Sequence, residues 1–152
     1  MTARHALSLA ATAAAAFALA APASAREVCT HWSLGNRFTV HQSNGWQTEF
    51  DGNQQGNNLR GTASTFHAAA RSTMTGSTAT VQKGTFDGKV RGHEVTISVY
   101  WSPSSVGVYN GKISDRGRIE GNTHDRQHPE SMATWYADEL ATCTRRENIQ
   151  PK

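Results

Sequence analysis

Residues 93–101 read His-Glu-Val-Thr-Ile-Ser-Val-Tyr-Trp, so that Val95, Ile97, Val99 and Trp101 fall on one side of an extended chain and Glu94, Thr96, Ser98 and Tyr100 on the other. Strand side chains alternate with a period of two, whereas the apolar face of a helix recurs every three to four residues. The run is therefore a half-buried antiparallel strand. Phe38 and Val40, Trp46 with Thr48 and Phe50, Leu59 with Gly61 and Ala63, and Ile119 with Gly121 and Thr123 repeat the pattern. A chain dominated by this period has to build sheets with one face in the core and one in water.

Turn chemistry sets how those strands connect. Asn44-Gly45, the Gly52 to Asn58 run, Arg91-Gly92, Ser102-Pro103-Ser104-Ser105 and Asp115-Arg116-Gly117 break the pattern at short intervals. Short turns join antiparallel neighbours, while parallel crossovers need a dozen residues or more. Eight strands are expected at 28–32, 37–42, 46–51, 58–66, 80–90, 93–101, 107–114 and 117–123, with a ninth at 132–136. Gly61, Gly84, Gly88, Gly111 and Gly121 lie inside them, where glycine permits bends and close backbone approach. The expected fold is all-β, a single antiparallel up-and-down barrel of about eight strands. Residues 67–78, rich in Ala, Ser and Thr, break the alternation and are expected as a loop or short helix at the barrel rim.

The first 25 residues follow another logic. Arg4 and His5 precede an apolar run from Ala6 to Ala21, and Ala23-Ser24-Ala25 supplies a small-residue cleavage site, so residues 1–25 read as a secretory signal peptide and 26–152 as the domain. The apolar run is shorter than the ~20 residues that span a bilayer, and no membrane insertion is expected. Export leads to an oxidising compartment, extracellular or periplasmic. Cys29 and Cys143, the two cysteines of the chain, are expected to join in a disulfide there.

Charge and motifs remove several functions. Fifteen Lys and Arg against 12 Asp and Glu give a net charge of +3, scattered in both signs, so no basic stripe marks a nucleic-acid-binding face. His124, Asp125, His128 and Glu130 form the densest polar cluster, but Pro129 makes it a loop, where a spacing of four does not align two imidazoles, and no metal or other cofactor is expected. Asp125 is expected to cap backbone amides there. No Gly-x-Ser-x-Gly elbow is present, and Glu49, Asp51, Glu94 and Glu120 fall on the solvent side of the alternation. Catalysis is not expected.

The aromatic residues Trp32, Trp46, Trp101, Trp135, Tyr109 and Phe50 fall on inward positions. Trp32-Ser33-Leu34-Gly35, Leu59-Arg60-Gly61-Thr62, the strand from Thr96 to Trp101, and Gly107-Val108-Tyr109-Asn110-Gly111 together resemble, at the level of architecture, the secreted eight-stranded barrels of the avidin and streptavidin type. The resemblance implies the fold and a secreted binding role; Ala63 stands where that family carries a ligand-binding tyrosine. The functional expectation is a secreted, non-catalytic binding protein with Trp46, Trp101, Tyr109 and Phe50 as a ligand-facing wall for a small apolar or aromatic molecule at the barrel mouth. The alternative is a protein-binding module, such as an inhibitor of a secreted hydrolase, acting through the loops at 53–57, 67–78 and 125–130.

Overall fold

The computed structural model describes residues 26–67 and 81–149. The expected signal peptide, and all but His67 of the expected rim segment at 67–78, lie outside the described residues. Every helix or strand among the described residues is a strand: β1 (Arg26–Ser33), β2 (Arg37–Gln42), β3 (Trp46–Gln55), β4 (Asn58–His67), β5 (Gln82–Arg91), β6 (Glu94–Ser102), β7 (Ser105–Ile113), β8 (Ile119–Asp125), β9 (Ala133–Ala137) and β10 (Thr142–Ile149).

Strands β2 to β9 form a closed antiparallel barrel in which each pairs with the next and β9 returns to β2. Asn44-Gly45 and Arg91-Gly92 make the expected tight turns, with Gly45 at φ 88° and Gly92 at φ 54°, a region that residues with a Cβ rarely enter. The closing seam is the shortest pairing, Val40 with Ala137, His41 with Tyr136 and Gln42 with Trp135. It is extended at both ends by Ser43 N donating to Thr134 O at 2.9 Å and Asp138 N donating to Thr39 O at 3.0 Å. Closure leaves no unpaired edge on these strands, which removes the usual liability of an open sheet.

The inward positions fill one end and leave the other open. Phe50 is fully buried at the centre, stacked on Phe38 at 4.6 Å and met edge-on by Phe86 at 5.1 Å. Leu59, Val90, Val95, Ile113 and Ile119 complete the packing toward the end where β1 sits. Burying side chains of this size contributes about 1.5 to 3 kcal/mol each. The inward glycines accommodate rings: a Cβ on Gly52 would stand 2.7 Å from the tip of Phe86, and one on Gly107 would stand 2.9 Å from Trp101 Nε1.

Two expectations change here. The strand expected first in the barrel, at 28–32, instead forms a separate ribbon with β10, paired from Arg26 with Ile149 to Ser33 with Thr142. The ninth strand, β9, takes its place in the barrel. Trp32 is accordingly not a barrel-lining residue; it joins Leu34 in the core from the ribbon and meets His93 edge-on at 5.5 Å. The ribbon is docked by Gln54, whose Nε2 donates to Trp32 O at 2.7 Å and whose Oε1 accepts from Leu34 N at 3.0 Å. Alternation reports which side of a strand is apolar, and a plug against the barrel end buries that side as well as the barrel interior does. Cys29 and Cys143 form the expected disulfide, which staples the ribbon with Cα atoms 5.9 Å apart.

Candidate functional site

At the end opposite the ribbon, β2, β4, β6 and β8 finish and β3, β5, β7 and β9 begin. Their inward positions change there from apolar to polar. Gln42, Thr65, Gln82, Ser105, Thr123 and Asp125 surround a cavity of about 220 Å³, walled by Trp46, Trp101 and Tyr109. Its sides are aromatic, and its floor and rim carry hydrogen-bonding groups.

The floor is an ordered chain of hydroxyls. Gln42 Nε2 donates to Tyr109 Oη at 3.0 Å and to Thr48 Oγ1 at 3.2 Å. Thr48 Oγ1 lies 3.1 Å from Tyr109 Oη and donates to Thr65 Oγ1 at 3.1 Å, which in turn donates to the Gln47 carbonyl at 2.9 Å. Each hydroxyl has one hydrogen, so the direction is set: the phenol gives its proton to Thr48. Thr48, Thr65 and Tyr109 are all buried, and burial pushes the Tyr109 phenol up from its ordinary value, against hydrogen bonds with Thr48, Thr123 and Gln42 that act the other way. Polar groups at this depth are tolerable because they satisfy one another.

Three of the four expected wall residues meet at this cavity. Tyr109 forms its floor; Trp101 is half-buried on one side; Trp46, 38% exposed, stands at the rim with its ring edge-on to His67 at 5.4 Å. Phe50 lies one layer deeper, edge-on beneath Tyr109 at 5.6 Å, and does not line the cavity. Trp46 and Phe50 share a face of β3, but four residues of strand separate them by ~13 Å along its axis, and alternation carries no depth.

Gln42, Thr65, Gln82 and Thr123 are absent from the sequence-based site. The signal that marks them is an inward-parity polar residue at a strand end, as Gln42 is after Phe38 and Val40 and Thr123 after Ile119 and Gly121.

Asp125 ends β8 at the rim. Its Oδ2 accepts from Ser105 Oγ at 2.8 Å and its Oδ1 from Gln127 N at 2.8 Å. The Ser105 hydroxyl first, then the Gln127 amide, hold the carboxyl below the ordinary aspartate range. Asp125 thus caps the following turn, where Ser131 Oγ accepts from Asp125 N at 3.0 Å and donates to His128 O at 2.7 Å. His128 turns to Glu130 at 3.3 Å on the exposed side of that loop. No group of three or more His, Cys, Asp or Glu suited to a metal occurs among the described residues. Asp51, Glu94 and Glu120 are exposed on the outer barrel surface, with Asp51 paired to Arg37 at 2.6 Å.

Fold and site together define a class: a closed eight-stranded antiparallel barrel, plugged at one end by a disulfide-stapled ribbon and open at the other on an aromatic-walled, polar-floored cavity. No protein family, curated protein or solved structure matches the chain.

Proposed function

We propose that this chain is a secreted, non-catalytic binding barrel of avidin-like architecture that takes a small ring-bearing molecule with polar edges into its mouth. The observation that carries the reading is the cavity of about 220 Å³ walled by Trp46, Trp101 and Tyr109, with Gln42 and Thr65 in its lining tied together beneath by hydrogen bonds through the buried Thr48. Flat aromatic walls favour a planar or ring-shaped body, and a few fixed polar groups orient it. The volume lies below the usual range of ~300 to 1,000 Å³ for drug-sized ligands, which points to a compact guest. Secretion is supported by the disulfide and by the leader-like first 25 residues.

A binding role rather than catalysis is supported by the site's carboxylate content. Asp125 is the one carboxylate among the described residues lining the cavity, and Asp51, Glu94 and Glu120 lie outside that lining on the outer barrel surface. Paired-carboxylate chemistry needs two facing one cleft.

Intrinsic fluorescence tests the reading, because Trp46 and Trp101 line the cavity while Trp32 and Trp135 are buried elsewhere. A panel of small ring compounds is expected to include members that shift the emission saturably, with the shift lost in Trp46→Phe and the affinity lowered in Trp101→Phe. No response to any ring compound would overturn the mouth as a binding site and leave the loops at 53–57 and 125–130 as the contact surface for a protein partner.

A further inference from the structure

We infer that the guest of the mouth is a small organic cation, a protonated amine carried on a ring, held by the Asp125 carboxylate against the faces of Trp101 and Trp46. The inference rests on the binding reading above and specifies its ligand. Asp125 shares the inward parity of Ile119, Gly121 and Thr123 on β8, and it is the one acidic side chain among the described residues lining the cavity. No lysine or arginine is among the described residues that line it. The nearest arginine in sequence, Arg126, reaches outward to Ser98 Oγ at 3.3 Å. Lys83, Lys89 and Lys112 are exposed on the outer faces of β5 and β7. Among the described lining residues Asp125 is thus the one carboxylate, with His124 beside it on β8, and no lysine or arginine stands against it.

The chemistry of the carboxylate fits an ammonium. Its two oxygens offer about four lone-pair directions; the Ser105 hydroxyl and the Gln127 amide take one on each oxygen and the His128 amide also bears on the carboxylate, which leaves acceptor capacity for one further donor. The same bonds fix its position and favour its ionised form. An ammonium has three donors, and the hydroxyl and amide oxygens of Thr123, Ser105 and Gln82 around the cavity can accept those the carboxylate does not. Trp101 and Trp46 add aromatic faces, which attract cations most strongly where water is partly excluded. A neutral guest would use the walls and the floor but not the charge, and an anion would meet the carboxylate with like sign.

Three probes that share one ring separate these cases: 2-phenylethylamine, 2-phenylethanol and 3-phenylpropanoate, titrated at neutral pH into the full chain and into Asp125→Asn, with binding read by calorimetry and tryptophan emission. Asparagine keeps an oxygen for the Gln127 amide, and a thermal melt of the variant verifies its fold. The amine is expected to bind at least about tenfold more tightly than the alcohol, the carboxylate more weakly than either, and the amine's advantage to vanish in Asp125→Asn. Equal binding of amine and alcohol to the unaltered chain, which needs no variant, would overturn the cation preference while leaving the mouth as a binding site. Loss of binding for all three would overturn both.

Discussion

The indole of Trp135 reaches across Gly121 and lies on Gly111, so close that a Cβ built at Gly111 would stand 2.6 Å from both Cζ2 and Cη2 of the ring. Phe86 does the same two strands at a time elsewhere in the wall, crossing Gly61 to rest on Gly52. The inward glycines are thus the sockets into which the large rings of neighbouring strands fit. Close packing of this kind leaves no slack for an added carbon.

Gly111→Ala is expected to destabilise the barrel by about 1 to 3 kcal/mol, the usual cost of overpacking a filled core. Trp135→Phe in the same chain shortens the ring and is expected to recover part of that loss. A double-mutant cycle on denaturant midpoints measures the coupling, and additive effects would show that the ring and the glycine do not oppose each other.

The Cys29–Cys143 bridge closes a sequence separation of 114 residues. On the loop-entropy account its loss costs about 4 to 5 kcal/mol, so Cys29→Ala with Cys143→Ala is expected to lower the melting temperature sharply. Trp32, 5% exposed where the ribbon meets the core, should become more accessible to an aqueous quencher before the barrel melts. A double variant as stable as the parent would show that packing alone holds the ribbon.

Tyr109 makes stability sensitive to alkali. Its buried phenol has a folded pKa above the unfolded one, so its contribution is complete below about pH 10 and is lost as pH rises through the folded value. Tyr109→Phe should remove that part of the alkaline loss. At neutral pH the same substitution takes one of two hydrogen-bond partners from Gln42 Nε2 and one of three from Thr48 Oγ1, and is expected to cost about 0.5 to 1.5 kcal/mol. Urea unfolding at neutral and alkaline pH checks both, and parallel curves for the two proteins would refute the role.

Asp125 acts with the opposite sign. Its folded pKa is depressed, so its contribution is present above the unfolded value near 3.9 and is lost as pH falls through the folded one. Ser105→Ala removes the largest cause and is expected to move the carboxyl back toward the ordinary range. A carbon-13 titration of the Asp125 side chain in both proteins reads this directly, and an unchanged midpoint would mean that the Gln127 and His128 amides set it without the hydroxyl.

How much of this was legible beforehand differs between elements. The strand at 93–101 and the hairpins at Asn44-Gly45 and Arg91-Gly92 stand in the structure close to their expected places, because alternation and turn residues act within a few positions of themselves. β10 was not expected at all: it reads Thr-Cys-Thr-Arg-Arg-Glu-Asn-Ile, mostly exposed, with no apolar side to betray it. Its existence depends on β1, more than a hundred residues away, and on the disulfide between them.

Local pattern by itself determined the all-β class, the antiparallel order of neighbouring strands, the inward side of each, and the one pairing that two cysteines allow. Tertiary structure decided which eight strands close the barrel, because closure is a matter of register between β2 and β9, each of which reads equally well as an end strand. It also decided depth. Trp46 and Phe50 have the same parity and comparable apolar character, yet one stands at the rim and the other at the centre of the core, since depth is fixed by where seven other strands begin and end rather than by anything within β3. For the same reason Gln42, Thr65 and Thr123, unremarkable as single polar residues, become a mouth when the barrel brings their strand ends to one place.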